Sequence, residues 1–190
     1  MTTEYDLTNI WSGETVAVLA SGSSINQTIA DELARHRRIV VNYSYLLAPD
    51  ADLLLALDLN MDLWNAAKNF AGMRACGVQS DNVNAIYIGQ MSEKIRIAEG
   101  HIVEMTNSGI AAIRLAAKMG AAKIILAGFN PDSGGHFEGR PSNSDQFTND
   151  HWRYLSIGLG SIVSELRAKG IDVEFYSPKI EPVTRKGRHV

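Results

Sequence analysis

Residues 106–130, TNSGIAAIRLAAKMGAAKIILAGFN, constrain the fold more than any other stretch of the chain. Asn107 or Ser108 suits a helix N-cap, because a short oxygen-bearing side chain can accept from first-turn amides that have no partner inside the helix. Ile110, Ile113 and Ala117 then recur at helical spacing, and Gly120 is the residue type that most readily ends a helix. Lys123-Ile-Ile-Leu-Ala127 is apolar without alternation, which predicts a strand covered on both faces, and Gly128 breaks it. A helix followed by a doubly covered strand is the repeating unit of parallel α/β sheets, which bind ligands beyond the carboxyl ends of their strands. The turns at 106–109 and 128–130 therefore mark a ligand-facing edge, with the amides that open the helix turned toward any anion above it.

The rest of the chain repeats the pattern. TVAVLA at 15–20 is a first buried strand, Ser21-Gly-Ser-Ser24 a polar turn, and Ile25, Ile29 and Leu33 the stripe of a helix capped by Ser24 or Asn26. RIVVN at 38–42 and ADLLLAL at 51–57 predict two more strands, separated by the Ala48-Pro49-Asp50 turn. A helix over 60–70, short strands at 74–78 and 85–88, a helix from about 149 to 168 stopped by Gly170, and a strand at 172–176 complete the order. Residues 90–105 show no clean period and are expected to form a long connection or small excursion, a candidate lid; 129–148 is a second long loop rich in Gly, Asp, Asn, Ser and Pro. Right-handed crossovers then give a single Rossmann-like α/β domain over 1–190, a mostly parallel sheet with helices on both faces, with a lead at 1–13 and a loosely held tail at 180–190.

At 190 residues the chain can bury a full core without metals or disulfides, and Cys76, its one cysteine, excludes an intrachain disulfide. The net charge of −3 disfavours broad capture of nucleic acid or of an acidic membrane. Arg35, His36, Arg37 and Arg38 are expected on a solvated helix end, and Arg185, Lys186, Arg188 and His189 in the tail. No apolar run approaches the ~20 residues of a membrane span, so a cytoplasmic protein is expected, with helices able to pair into a homo-oligomer.

Several residues carry candidate chemistry. LASGSSIN at 19–26 sets Gly22, Ser23 and Ser24 between strand and helix, where amides and hydroxyls can cradle a phosphate. It lacks both G-x-G-x-x-G and the P-loop lysine, against a dinucleotide-binding dehydrogenase or a P-loop NTPase. Asn42 and Asp58 fall at predicted strand ends; Asn can bond a base or sugar edge, and Asp can hold a hydroxyl or magnesium. His136 lies in the second long loop and His151 just beyond it, and both are candidate general bases. Around His136, the acidic residues Asp132, Glu138 and Asp145 match no standard zinc spacing. No G-x-S-x-G is present and Cys76 has no neighbouring histidine, which disfavours nucleophilic hydrolysis; Trp64 and Trp152 suit packing on helices.

These motifs, with a G-x-S turn after the first strand, Asn after the second, TNSG opening a helix and Gly-Phe-Asn after the next strand, resemble the bacterial sialyltransferases of glycosyltransferase family 42. They also resemble the 6-hydroxymethylpterin pyrophosphokinase-like proteins of the same Rossmann-like fold. A closer likeness is to uncharacterised phage-encoded relatives with a His-aromatic-x-Gly stretch, here His136-Phe137-Glu138-Gly139. It covers roughly 15–178 through short, degenerate motifs. It implies a nucleotide or nucleotide-sugar donor held by Gly22, Ser23, Ser24, Asn42, Ser108 and Gly109, with His151 near the position of the family's catalytic base. Asn107, Asp58, Gly128 and Asn130 complete the expected ligand-facing set. Ser23 stands where the family usually has proline and Asn130 where it has aspartate, and the chain has no room for the family's larger acceptor lid.

The expectation is a nucleotide-dependent, glycosyltransferase-like enzyme of the cytoplasm, or of the host cytoplasm if phage-encoded. Two alternatives stand beside it: a magnesium-dependent pyrophosphokinase acting on a small hydroxymethyl compound, with Asp58 helping to hold the metal, and a module that binds a nucleotide without turnover.

Overall fold

Val16, Ala17, Val18 and Leu19 are all fully buried, as an unbroken apolar run requires when helices cover both faces of a strand. In the computed structural model, which describes residues 6–89, 92–96, 102–130, 137 and 149–177, this run is β1 (Thr15–Leu19). It is followed by α1 (Gln27–Glu32), β2 (Arg37–Val41), a 3-10 turn (Asn42–Leu46), β3 (Leu53–Ala56), α2 (Met61–Ala66), β4 (Met73–Cys76) and β5 (Ile86–Tyr87). Then come β6 (Ser92–Arg96), β7 (Ile102–Thr106), α3 (Ser108–Lys118), β8 (Lys123–Ala127), α4 (Asn149–Ala168) and β9 (Asp172–Phe175).

Seven strands form one all-parallel sheet in the order β5-β4-β3-β2-β1-β8-β9. The alternation of side chains divides the core in two. Val16, Val18, Ile39, Leu53, Leu55 and Leu126 pack under α3 and α4 with Ile113, Leu115, Ile162 and Leu166. Ala17, Leu19, Val40, Leu54 and Ile125 face α1 and α2 with Ile29, Leu33, Leu63 and Trp64. This is a Rossmann-like α/β domain. No helix among the described residues is long and apolar enough to cross a membrane.

The caps follow the sequence. Asn26 Oδ1 accepts from Ile29 N and opens α1, and Asn60 Oδ1 accepts from Leu63 N and opens α2. Asn107 does the same for α3.

Three features differ from expectation. Within the stretch expected to be a long connection, Ser92–Arg96 and Ile102–Thr106 pair antiparallel as β6 and β7, with β6 against α4. SEKIR and IVEMT mix charged with apolar residues, so their period was faint and the cross-strand pairing decides the structure. The basic cluster at 35–38 is not all on a helix end. Arg37 and Arg38 begin β2, where Arg37 bridges Glu14 and Asp52 and the buried Arg38 pairs with Asp50 at 2.8 Å, drawing that carboxyl below its usual range. Within the expected lead, Leu7 and Trp11 are buried in the α3 side of the core, and Trp11 N donates to Met119 O at 2.8 Å.

Candidate functional site

The chain leaves β1 toward β2 on one side and later returns to β8 on the other, so the strand order reverses between β1 and β8. In open parallel sheets this switch point is where the loops beyond the carboxyl ends part and leave a crevice. Here the two loops are fastened together. Gly22 N donates to Gly128 O at 3.1 Å, and Asn130 Oδ1 accepts from both the amide and the hydroxyl of Ser24, at 3.3 and 2.8 Å. Asn130 Nδ2 donates to Ser23 Oγ at 2.8 Å, and Phe137 N reaches Ser21 O at 3.1 Å. The closeness explains both glycines. A Cβ at Gly22 would lie 2.3 Å from Asn130 Oδ1, and one at Gly128, whose φ is +72°, would lie 2.3 Å from Ala20 O.

Next along the edge, two buried hydroxyls tie β1 to β2. Ser21 Oγ donates to Val41 O at 2.9 Å. Ser44 Oγ accepts from Val41 N at 2.8 Å and lies 2.6 Å from Leu19 O. Val41 O lies 2.8 Å from the same hydroxyl and already accepts from Ser21, so the shorter contact directs the one proton of Ser44 to Leu19 O. The chain turns between these bonds at Asn42, whose φ of 52° is the left-handed conformation that Asn tolerates best among residues with a Cβ. The Asn42 side chain is half-buried and makes no hydrogen bond among the described residues.

Beyond β3, Ser108 Oγ accepts from Leu57 N at 3.2 Å and holds the start of α3 against the strand end. Asp58 follows, exposed, its backbone carbonyl accepting from Trp64 Nε1 while its carboxylate has no hydrogen bond among the described residues. Its charge is felt by the neighbouring Cys76 thiol, whose pKa is pushed up first by burial and further by Asp58. Asn107 Oδ1 accepts from Gly109 N at 2.9 Å and Ile110 N at 3.1 Å, so two of the amides expected to face an anion are taken by the cap. Gly109 sits against Phe129, with 3.0 Å from a would-be Cβ to the ring.

Gly22, Ser23, Ser24, Asn42, Asp58, Asn107, Ser108, Gly109, Gly128 and Asn130 thus all lie along one edge of the sheet. Within that set Asn42 and Asp58 present unengaged polar groups, whereas Ser24, Ser108 and Asn130 spend theirs on neighbouring loops. His151 lies in the first turn of α4 and its side chain is outside the described residues, as is His136 altogether. No group of three metal-ligating side chains occurs among the described residues. Ser44 escaped the sequence reading, and Ser21 and Phe129 entered it only as members of the first polar turn and of the Gly-Phe-Asn turn. Ser44 left no signal because it acts through contacts between distant segments. Comparisons with protein-family models, curated proteins and solved structures find no match to the chain.

Proposed function

We propose that the chain is a nucleotide-dependent transferase that holds a nucleotide-sugar-type donor along the carboxyl edge of its sheet. The observation that carries this reading is Asn42, kept at a φ of 52° by the Ser21–Val41–Ser44 bonds while its own carboxamide is left unused. An unfavourable backbone conformation that is over-determined by its surroundings and presents an idle donor and acceptor is typical of a ligand clamp. The neighbouring Asp58 carboxylate suits sugar hydroxyls, and motif order alone directs the donor's phosphates toward Gly22 and α3, where the Gly22, Gly109 and Ile110 amides are already bonded within the protein. His151, in the first turn of α4, is the proposed base that takes the acceptor proton.

Isothermal titration of the whole chain with cytidine, uridine and guanosine mono- and diphosphates tests the reading. Binding that Asn42→Ala abolishes supports it, and no heat with any of them defeats it. Asp58 favours a second reading, phosphoryl transfer with magnesium, because that ion commonly takes one carboxylate together with substrate phosphates. Turnover that stops on removal of magnesium selects the second reading over the first.

A further inference from the structure

A helix does not cover every crossover in this sheet. Between β4 and β5 the chain runs through residues 77–85 without one, which leaves a groove of about 820 Å³ along these two strands. That volume lies within the range of small-molecule sites, ~300–1,000 Å³.

The groove's lining mixes apolar with polar side chains, the charged Arg74 and Asp81 among them. Its lining includes the buried, apolar Cys76 and Val83, together with Ile86 and the ring of Tyr87, which is 54 % exposed and so has a face available for stacking. Gln79 and Asn84 line it as well, and neither carboxamide has a hydrogen bond among the described residues. A carboxamide offers a donor and an acceptor side by side, which is the complement of the edge of a nitrogen heterocycle. An aromatic ring, an apolar wall and two carboxamides are the elements with which proteins hold unpaired bases. A partner strand is the poorer occupant, since β5 is only two residues long and gives a short template for pairing.

We propose that the β4–β5 groove is a binding site for a planar nitrogen heterocycle of the nucleobase class, stacked on Tyr87 and bonded at its edge by Gln79 and Asn84. The groove lies about 14 Å from β1, at three strand spacings of ~4.8 Å. It is therefore separate from the Gly22–Gly128 junction, although Cys76 in its lining adjoins Asp58 at the far end of the proposed donor edge, and residues 42 and 58 serve as reporters that tell the two apart.

The test is an amide-resonance titration of the whole chain with adenosine, guanosine, cytidine and uridine, which carry no phosphate, and with glucose as a polyol probe. Shifts confined to residues 76–87 with at least one nucleoside, weakened tenfold or more by Tyr87→Ala and several-fold by Asn84→Ala, are expected. Tyr87 is exposed, so its loss leaves the core intact. Equal affinity in Tyr87→Ala, a response to glucose alone, or no response in 76–87 overturns the proposal. Nucleoside phosphates that shift residues 42 and 58 while 76–87 stay silent would sink the groove and leave the crevice reading standing.

Discussion

Asn130 and Ser24 meet across the point where the strand order reverses, the carboxamide oxygen of one accepting from both the amide and the hydroxyl of the other. The bond joins the loop that leaves β1 to the loop that leaves β8, 106 residues apart in the chain. It also gives a physical account of the asparagine. Oδ1 takes two donors from Ser24 while Nδ2 donates to Ser23, so one side chain closes both serines.

Asn130→Ala should therefore cost about 0.5–1.5 kcal/mol, the usual net value of a side-chain hydrogen bond in a partly solvated place. Asn130→Asp should keep most of it, because the Ser23 hydroxyl can turn to donate where it had accepted. Urea denaturation reads both variants. An unchanged midpoint in Asn130→Ala means that the junction is held by backbone bonds alone.

Gly22→Ala should be the harsher change. The new methyl would sit 2.3 Å from Asn130 Oδ1 and 2.4 Å from Gly128 O, and the second of these is backbone that cannot swing aside. We expect a loss of roughly 1–3 kcal/mol, in the range of overpacking, from the same denaturation assay. Combining it with Asn130→Ala should recover part of that loss, since one of the two overlaps disappears. Full additivity of the two changes would contradict the geometry.

Ser44 is fully buried, and its hydroxyl satisfies Val41 N and Leu19 O together. Ser44→Ala removes the partner of both groups where water has no access, for an expected cost of about 1–3 kcal/mol. Ser44→Cys offers a weaker donor and acceptor and should fall between. A thermal unfolding series across the three proteins ranks them, and an alanine variant as stable as the parent would refute the role given to this hydroxyl.

The positions of strands and helices were legible because each uses a local rule. KIILA at 123–127 and the helix at 149–168 match their sequence boundaries, and the ends of β1, β2 and β3 differ by a residue or two. The β6–β7 pair was not legible, because its order comes from pairing rather than from either segment's own pattern. At the site, the sequence marked which turns lie on the edge but not which side chains are already engaged. Ser108 illustrates the gap: it stands where a ligand contact was expected, and its oxygen is bonded to Leu57 N across 51 positions of sequence. No local pattern encodes such a contact.

Glu165 sets an acid dependence. Hydrogen bonds from Arg114 and then Lys169 lower its pKa from 4.5 to about 2, against the opposing effect of burial. A carboxylate with a depressed folded-state pKa stabilises the fold above its unfolded value, so the contribution is present above about 4.5 and is lost as pH falls toward about 2. The side chain is 37 % exposed, and solvent screening holds the effect to roughly 0.5–1 kcal/mol, well below what the shift alone implies. Glu165→Gln should lower stability at neutral pH and flatten the curve between about 4.5 and 2. Parallel curves for variant and parent would remove the α3–α4 ion pair from the acid response.

Asn42 separates stability from recognition most cleanly. At a φ of 52° glycine has no Cβ to strain, so Asn42→Gly should be neutral or stabilise by up to about 1 kcal/mol despite losing a side chain. Asn42→Ala keeps a Cβ without asparagine's tolerance of this conformation and should cost about 1 kcal/mol. Both remove the carboxamide, which has no hydrogen bond among the described residues, so the packing of β2 should persist in each. If the carboxamide holds a nucleotide, the two variants will lose affinity equally while differing in stability. Affinity that instead follows stability, with the glycine variant binding as well as the parent, would show that this position matters for the shape of the edge and not for contact with the ligand.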